Sequence, residues 1–385
     1  MQLCTPNQPV AELLGPLRAA LDGAGPALLP VPDGAPGQAL LTAARPDDQL
    51  DDDTALLLPT SGSTGVAKVV ELPAAALIAS AEATHERLGG PGDWLLCLPL
   101  THIAGWQVVV RSAVAGTRCQ QMDPVASFTP AAFIAAANTL GPRSSHRRYT
   151  SLVPTQLGRL LEDRAAAKEL AGFDGVLVGG ASCPPPLLDR AREAGVVVHT
   201  TYGMTETSGG CVYDGEPLRD VRVRLDEDRR ILLSGPQLAR RYRGEPDLTA
   251  ESFVHDETGT RWFRTSDAGA LTGGRLQVLG RIDDVITTGG EKVSPAEVER
   301  VLLQLPAVRA AIVVGVPDPE WGQAVVALVE GDPAPDLAVA RELVAERLGR
   351  HAAPRHLLAV GAVPLRGIGK PDRLEAARIA RERLA

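Results

Sequence analysis

The alternation of short apolar strands with alanine-rich helical segments is the feature that most restricts the fold of this chain. It runs from residue 55 to about residue 200. The strand-like segments are DWLLCLPL, YTSLVP, FDGVLVGG and GVVVHTTYG, and the helix-like segments include PAAALIASAEATHERL and PTQLGRLLEDRAAAKEL. Such alternation is typical of layered α/β domains, in which helices cover a sheet. The sequence therefore predicts an α/β fold here, preceded by a helix over residues 10–22.

The pattern changes twice beyond residue 200, which indicates more than one domain. Residues 212–281 contain strand-like pieces separated by turns, and this predicts a β-rich subdomain. From residue 282 onward, helix-like and strand-like segments return and end in a basic helix. A chain of 385 residues also exceeds the usual size of one hydrophobic core. We therefore predict a large N-terminal domain over residues 1–281 and a small, mobile α+β domain over residues 282–385.

Charge and composition narrow the class of partner. The formal net charge of −8 at pH 7 gives no overall attraction to nucleic acid or to an anionic membrane. No apolar run approaches the roughly 20 residues that span a bilayer, and the N-terminal segment MQLCTPNQPVAEL lacks the charged and apolar regions of a secretory leader. The five cysteines form no C-x-x-C pair. We expect a cytoplasmic protein that binds small molecules, and whether it forms a homodimer is left open.

The stretch TSGSTGVAK, residues 60–68, places two glycines, four hydroxyl side chains and one lysine between two strand-like segments. Glycines let backbone N–H groups converge on an anion, and the lysine adds positive charge, so the stretch predicts a phosphate-binding loop. A plain flexible turn is the alternative. The Walker loop is excluded, because Lys68 lies three residues after Gly65 and is followed by Val69.

Polar residues recur where other strand candidates end, and open α/β sheets bind ligands at such ends. Two glycines follow a buried strand in VLVGGAS, where a flat group has room against the backbone, although a tight turn is equally compatible. Glu206 follows Thr205 in TTYGMTET, and a carboxylate beside hydroxyls suits magnesium shared with phosphate oxygens. Asp267 in RTSDAGAL ends its strand in this interpretation and accepts hydrogen bonds from a ribose. Helix capping by Thr205 and an exposed turn at Asp267 are the alternatives.

Taken in order, these segments resemble the motifs of the acyl-adenylate-forming superfamily, which includes acyl-CoA ligases, adenylation domains and luciferases. TSGSTGVAK is similar to its phosphate loop, VGGAS and TTYGMTET to its adenine and magnesium segments, and TSDAG to its ribose-binding segment. GRIDDVITTGGEKVSPAEVE, residues 280–299, resembles the interdomain hinge, and PLRGIGKPDR, residues 364–373, resembles the segment of the catalytic lysine. The resemblance implies nucleotide contacts at Thr60, Ser61, Gly62, Ser63, Thr64, Gly65, Lys68, Gly179, Gly180, Ala181, Thr201, Tyr202, Gly203, Thr205, Asp267 and Arg281.

The resemblance also implies a reaction in two steps. A carboxylic acid first attacks the α-phosphorus of ATP, and a thiol then attacks the acyl-adenylate. Lys370 and Glu206 are the implied catalytic residues of the first step, with Glu206 and Thr60 holding Mg²⁺. The small domain then swings about Asp283, and Gly289 and Gly290 line a tunnel for the pantetheine arm of coenzyme A.

The segments LPLTHIAGWQVVVRSAVAGT and SLVPTQL resemble the acyl-side walls of o-succinylbenzoate–CoA ligases. His102 is the implied catalytic residue between the acyl group and the thiol tunnel, and a structural histidine is the alternative. Thr101 provides no cation for a second substrate carboxylate, and whether Arg111 or another base does so is left open. Another aryl- or acyl-CoA ligase, an adenylation domain that loads a separate carrier protein, and an inactive nucleotide- or acyl-binding relative are the other hypotheses.

Overall fold

The computed structural model describes residues 1–61, 67–140, 146–366 and 370–384, and the side chains of Ser61, Ala67, Arg366 and Lys370 lie outside that description. The predicted contacts at Gly62, Ser63, Thr64 and Gly65 and at the side chains of Ser61 and Lys370 therefore lie outside the described residues. The α-helices are α1 Val10–Leu21, α2 Ala35–Ala44, α3 Ala74–Arg87, α4 Ile103–Ala115, α5 Pro130–Leu140, α6 Pro154–Glu162, α7 Arg164–Leu170, α8 Pro185–Glu193, α9 Pro246–Ser252, α10 Pro295–Leu302, α11 Leu337–Leu348 and α12 Arg373–Leu384.

The strands of the first half are β1 Gln2–Cys4, β2 Leu28–Pro30, β3 Thr54–Ser61, β4 Ala67–Pro73, β5 Gly92–Leu96, β6 Cys119–Gln121, β7 Arg147–Leu152, β8 Gly175–Val178 and β9 Val198–Met204. Those of the β-rich section are β10 Gly209–Tyr213, β11 Glu216–Pro217, β12 Arg222–Leu225, β13 Arg230–Ser234, β14 Arg241–Tyr242, β15 Phe253–His255, β16 Arg261–Thr272 and β17 Arg275–Arg281. The remaining strands are β18 Ile286–Thr288, β19 Glu291–Val293, β20 Val308–Asp318, β21 Gly322–Gly331, β22 His356–Ala359, β23 Leu365–Arg366 and β24 Lys370–Pro371.

Two mixed sheets and a layer of helices form the large α/β body, which is built mainly from residues before 212 and includes β11 and β14 from the later section. One sheet has the order β1-β2-β3-β4-β14, and the other has the order β11-β10-β9-β8-β7-β5-β6. Strands β5 to β9 pair in parallel, as expected where helices connect successive strands. The main apolar cluster joins α1, α3 and α4 to both sheets, with Trp94 and Trp106 fully buried in it. A second cluster covers the other face of the second sheet with α5, α6 and α7. The predicted α/β fold is confirmed.

Strands β12, β13, β15, β16 and β17 form an antiparallel sheet, as the turn-rich sequence predicts, whereas β14 joins the first sheet beside β4. In the last part of the chain, α10 and α11 cover one face of the β20-β21-β22 sheet and α12 covers the other. Helix α10 begins with Ser294 as its N-cap and Pro295 in its first turn, the usual way to satisfy and restrict a helix N-terminus. Among the described helices, none has the length and apolar character needed to cross a membrane.

Two local predictions were wrong. PTQLGRLLEDRAAAKEL forms two helices instead of one, because Asp163 adopts an extended conformation and its carboxylate accepts hydrogen bonds from the N–H groups of Ala165 and Ala166. This aspartate caps a new helix and ends the preceding one. Asp267 does not end a strand, since β16 continues to Thr272 with an irregular register beside the aspartate.

Candidate active site

The predicted phosphate loop connects two antiparallel strands of the first sheet. Thr60 near the end of β3 pairs with Lys68 near the start of β4, so the two residues face each other across the hairpin. The ammonium nitrogen of Lys68 lies 5.9 Å from the ring centroid of Tyr242 on the neighbouring strand β14. This distance is within the range of a cation–π interaction. The lysine is thus placed at the root of the hairpin that carries the loop.

Glu206 lies in a 3₁₀ turn, Thr205–Thr207, that follows strand β9. Only 7% of its surface is exposed, and the Tyr242 hydroxyl donates a 2.8 Å hydrogen bond to its Oε1 atom. The Thr207 hydroxyl closes the turn, because it donates to two backbone carbonyls and accepts the Met204 N–H. Burial, and then the charge of Glu206, raises the pKa of Tyr242. The phenol therefore stays a donor at neutral pH.

The residues around Glu206 fit a magnesium ion that is shared with a nucleotide. Within the described ranges, no group of three or more His, Cys, Asp or Glu side chains could hold a metal by itself. Mg²⁺ is usually bound by one or two carboxylates together with substrate phosphates and waters, all of them oxygen ligands. A single buried carboxylate, whose tyrosine partner also has its ring centroid 5.9 Å from the Lys68 ammonium group, suits that arrangement.

The predicted ribose residue Asp267 is tied to the predicted adenine residue Tyr202. The Tyr202 hydroxyl donates to Oδ2 of Asp267 at 2.7 Å. Asp267 also pairs across strands with Arg281, whose guanidinium donates to Asp283 at 3.1 Å. Burial raises the pKa of Asp267, whereas the Tyr202 hydrogen bond and the Arg281 charge oppose that shift. The carboxylate is held by its neighbours at the end of the sheet that leads into the predicted hinge.

Gly179 and Gly203 have packing reasons for being glycine. A Cβ atom on Gly179 would lie 2.2 Å from the Thr201 hydroxyl oxygen, and one on Gly203 would lie 2.1 Å from the carbonyl oxygen of Gly209. Gly180 has a φ of +79°, a backbone conformation that residues other than glycine rarely adopt. The glycines bring the ends of β8, β9 and β10 together. The predicted roles of Gly179, Gly180, Ala181, Thr201 and Gly203 toward the nucleotide stay predictions.

His102 occupies the N-cap position of helix α4 and is partly buried. Its carbonyl accepts the N–H groups of Gly105 and Trp106, which fixes the backbone at the helix start. Arg111 lies nine residues further along α4, about 14 Å at the α-helical rise. Its guanidinium carbon stacks 4.9 Å from the Trp94 ring centroid. Arg111 is thus part of the core, and the partner of a second substrate carboxylate stays unassigned.

The predicted lysine segment is anchored by Arg373. Lys370 lies in β24, which pairs with β23, and α12 begins three residues later. Arg373 donates to Asp284 at 2.8 Å and makes two hydrogen bonds to the buried Glu299. Asp284 follows the predicted hinge residue Asp283, so one guanidinium connects the hinge to the lysine segment.

Gly289 and Gly290 lie in the turn between β18 and β19 and both have positive φ angles. A Cβ atom on Gly289 would lie 2.6 Å from the Trp321 ring, so packing against this indole requires a glycine there. Gly290 has no atom within 4 Å of such a position among the described residues. Their predicted contact with pantetheine stays a prediction.

Sequence reasoning missed Tyr242 and Arg373. Tyr242 is 36 residues from Glu206, and nothing in the stretch LARRYRG marks its ring as a neighbour of the carboxylate. The position of Arg373, three residues after Lys370 in GKPDR, could have marked it as part of the site. A basic residue at the start of a basic helix is, however, usually interpreted as solvent-exposed. Both became visible only through contacts between distant segments.

Comparison with known proteins identifies the family of the chain. The sequence profile of the AMP-binding enzymes matches residues 15–242, and that of the AMP-binding enzyme C-terminal domain matches residues 297–370. A probable 2-succinylbenzoate–CoA ligase of Mycobacterium tuberculosis is 48% identical over 376 residues, which cover 96% of this chain and 95% of the relative.

Comparison with solved structures also finds AMP-forming ligases. The o-succinylbenzoate CoA synthetase of Bacillus subtilis in complex with its acyl-adenylate intermediate superimposes with a TM-score of 0.73 and 27% identity, covering 97% of this chain and 82% of that one. The same enzyme with ATP and a magnesium ion gives a TM-score of 0.73 and 26% identity, covering 97% and 83%. The chain therefore belongs to the family of AMP-binding enzymes.

Proposed function

We propose that this chain is an acid–thiol ligase that adenylates o-succinylbenzoate with ATP and transfers the acyl group to coenzyme A. The observation that carries the proposal is the 48% identity to a probable 2-succinylbenzoate–CoA ligase across nearly the full length of both chains. The buried pair of Glu206 with Tyr242 and the partly buried pair of Asp267 with Tyr202 support it, because carboxylate oxygens held in this way are of the kind that magnesium and a ribose require.

The first step joins the acid to the nucleotide. A carboxylate oxygen of o-succinylbenzoate attacks the α-phosphorus of ATP, the bond to the bridging oxygen breaks, and pyrophosphate leaves with the electron pair. Lys68 neutralises phosphate charge from the root of the hairpin, and Lys370 does so where pyrophosphate departs. Positioning and charge stabilisation supply most of the rate in such transfers. Asp267 and Arg281 orient the ribose.

Glu206 and Thr60 would hold magnesium in this step. When bound, Mg²⁺ supplies positive charge to the phosphate oxygens and helps to align them. The carboxylate and hydroxyl oxygens of this chain fit that hard cation. Tyr202 and the glycines at the ends of β8 and β9 would line the adenine site.

The second step transfers the acyl group. The thiolate of coenzyme A attacks the acyl-adenylate carbonyl, a thioester bond forms, and AMP leaves. We assign residues 1–281 to the domain that holds ATP and the acid, and residues 282–385 to a mobile domain that carries Lys370. Asp283 is the proposed hinge, and Gly289 and Gly290 would line the thiol tunnel after the swing.

His102 would face the acyl carboxylate from the start of helix α4. The helix N-terminus fixes the position of the His102 backbone, and the imidazole would orient the substrate from that fixed position. His102→Ala should lower kcat/KM for o-succinylbenzoate by about tenfold and leave the KM for ATP within twofold. An equal loss for both substrates would point to a structural histidine instead.

The purified protein tests the proposal directly. We expect o-succinylbenzoate, ATP, magnesium and coenzyme A to give the CoA thioester, AMP and pyrophosphate, identified by mass spectrometry and a pyrophosphate assay. Omission of coenzyme A should leave acyl-adenylate, which hydroxylamine traps. Benzoate and a medium-chain fatty acid serve as comparison acids. A higher kcat/KM with either would make that acid the substrate in place of o-succinylbenzoate, and the assignment as an acid–thiol ligase would stand. A carrier protein as the better acceptor would favour an adenylation domain.

If no acid releases pyrophosphate and no thioester forms, the chain is a binding relative and not a ligase. We also place the enzyme in the cytoplasm, where ATP and coenzyme A are available. A homodimer stays a prediction, for which analytical ultracentrifugation is the measurement.

A further inference from the structure

We propose that Tyr242 is a positioning residue for the adenylation step, which fixes the Glu206 carboxylate for magnesium and connects it to Lys68 of the phosphate hairpin. The inference rests on the proposed function, because it assigns a role within the same magnesium-nucleotide site. It concerns a side chain that the sequence motifs leave unassigned.

The hydrogen bond between Tyr242 and Glu206 is buried. Tyr242 is 6% exposed and Glu206 7% exposed, and the Oη to Oε1 distance is 2.8 Å. A hydrogen bond to a charged group is stronger than one between neutral groups, and a buried one restricts the rotation of the carboxylate. Because the tyrosine is a neutral donor, this hydrogen bond does not itself neutralise the charge of Glu206, as one from an arginine or lysine would.

The strand that carries Tyr242 is held in place. Tyr242 pairs with Val70 of β4, and its backbone N–H donates to the Thr249 hydroxyl. The adjacent Arg243 donates to the buried Glu71 carboxylate at 2.8 Å and to several carbonyls of residues 44–49. Because these bonds are buried, β14 cannot move without leaving charged groups unpaired, which is costly. The phenol therefore starts from a rigid element.

The same ring is in contact range of the hairpin lysine. The Nζ atom of Lys68 lies 5.9 Å from the Tyr242 ring centroid, and Lys68 pairs with Thr60 across the hairpin. One aromatic side chain thus donates a hydrogen bond to the Glu206 carboxylate through its hydroxyl and lies within cation–π range of the Lys68 ammonium group through its ring. Removing the hydroxyl alone should disturb the carboxylate and keep the ring in contact with the lysine.

Tyr242→Phe is the test, with Tyr149→Phe as its matched control. Tyr149 is also buried, and its hydroxyl donates to the carbonyls of Leu88 and Gly90, away from the proposed site. Calorimetric titration of ATP at fixed magnesium concentrations measures the metal dependence of binding without turnover. We expect Tyr242→Phe to raise the half-saturating magnesium concentration by about tenfold, as expected for a lost hydrogen bond to a charged group. Tyr149→Phe should leave it within twofold.

Half-reactions give the second readout. Tyr242→Phe should slow acyl-adenylate formation by about tenfold and leave CoA transfer to preformed adenylate within twofold. In a Glu206→Gln background, the same substitution should change the magnesium dependence by less than twofold, because the partner carboxylate is already lost. Melting temperatures of both tyrosine variants check that their folds are intact.

The outcomes separate this inference from the proposed function. An unchanged magnesium dependence in Tyr242→Phe, an equal shift in Tyr149→Phe, or full additivity with Glu206→Gln would each overturn the positioning role. If the wild-type protein binds ATP with magnesium but activates no acid, the proposed function fails while the titration still decides the role of Tyr242. If it binds no ATP at all, both fail.

Discussion

The nucleotide side of the candidate site and the hinge side are built differently. On the nucleotide side, Glu206 is buried and accepts a hydrogen bond from the hydroxyl of Tyr242, whose strand is itself fixed by the buried ion pair of Arg243 with Glu71. At the hinge, Arg281 pairs with Asp283 while both side chains are about half exposed, at 47% and 49%. Exposed pairs contribute little to stability and exchange easily, whereas buried ones are costly to break.

The difference suggests a division of tasks. A site that stabilises charge gains from residues that do not reorganise, while a domain that alternates between two positions needs contacts that are cheap to lose. Within the C-terminal part, Arg373 repeats the contrast, because one end of its guanidinium meets the buried Glu299 and the other meets Asp284 at the hinge. The following predictions test whether this division is real.

The largest effect is expected at Lys370. Lys370→Ala should slow acyl-adenylate formation by roughly a hundredfold or more, since it removes positive charge where pyrophosphate leaves. CoA transfer to preformed adenylate should fall by less than about threefold. Single-turnover assays of the two half-reactions provide the measurement, and equal losses in both would remove the lysine from the first step.

Glu299→Gln should destabilise the protein more than any hinge substitution. It leaves the buried end of Arg373 without its carboxylate, which costs about 3 kcal/mol of unfolding free energy. The matched variant Asp284→Asn acts on the other, more exposed end of the same guanidinium and should cost less than about 1 kcal/mol. Urea unfolding of both variants is the measurement, and similar losses would contradict the contrast between the core and the hinge.

Asp283→Pro should act on the second step. A proline restricts the backbone at the hinge, so adenylation should stay within about threefold while thioester formation slows by about tenfold. Rapid-quench measurement of the two steps separates them. A variant with normal overall turnover would place the hinge elsewhere.

The smallest effect concerns pH and the N-terminal core. Burial, and then the charge of Arg111, lowers the pKa of His85 to about 4 from 6.5. The unfolded chain therefore binds a proton that the folded protein excludes, so stability is full above pH 6.5 and falls as pH decreases from 6.5 to 4. We expect a loss of about 1 kcal/mol between pH 7 and pH 5 after allowing for solvent screening.

Denaturant unfolding at the two pH values measures that loss. His85→Phe should reduce it, whereas His356→Gln, at an exposed position of β22 in the C-terminal part, should not. An acid dependence that follows His356 would mean that the C-terminal part is the first to respond to acid.

Much of the architecture could be predicted because it depends on local sequence. The hairpin of β3 and β4, the alternation of strands and helices, and the change to a β-rich section follow from periodicity and turn residues, which act over a few positions. The break at Asp163 was also readable in principle, since an aspartate before an alanine-rich run is a helix N-cap signal. The extent of β16 was not, because a register shift depends on the partner strands.

The sequence by itself determined the order of the motifs, and with it the family and the candidate residues Lys68, Glu206, Asp267 and Lys370. Only the tertiary structure decided which distant side chains hold these residues and their segments in place. Tyr242 reaches Glu206, Tyr202 reaches Asp267, and Arg373 reaches both Asp284 and Glu299. These pairs are separated by between 36 and 89 residues along the chain. Local patterns cannot specify such contacts, because they arise only when strand pairing and core packing bring distant backbones to fixed positions.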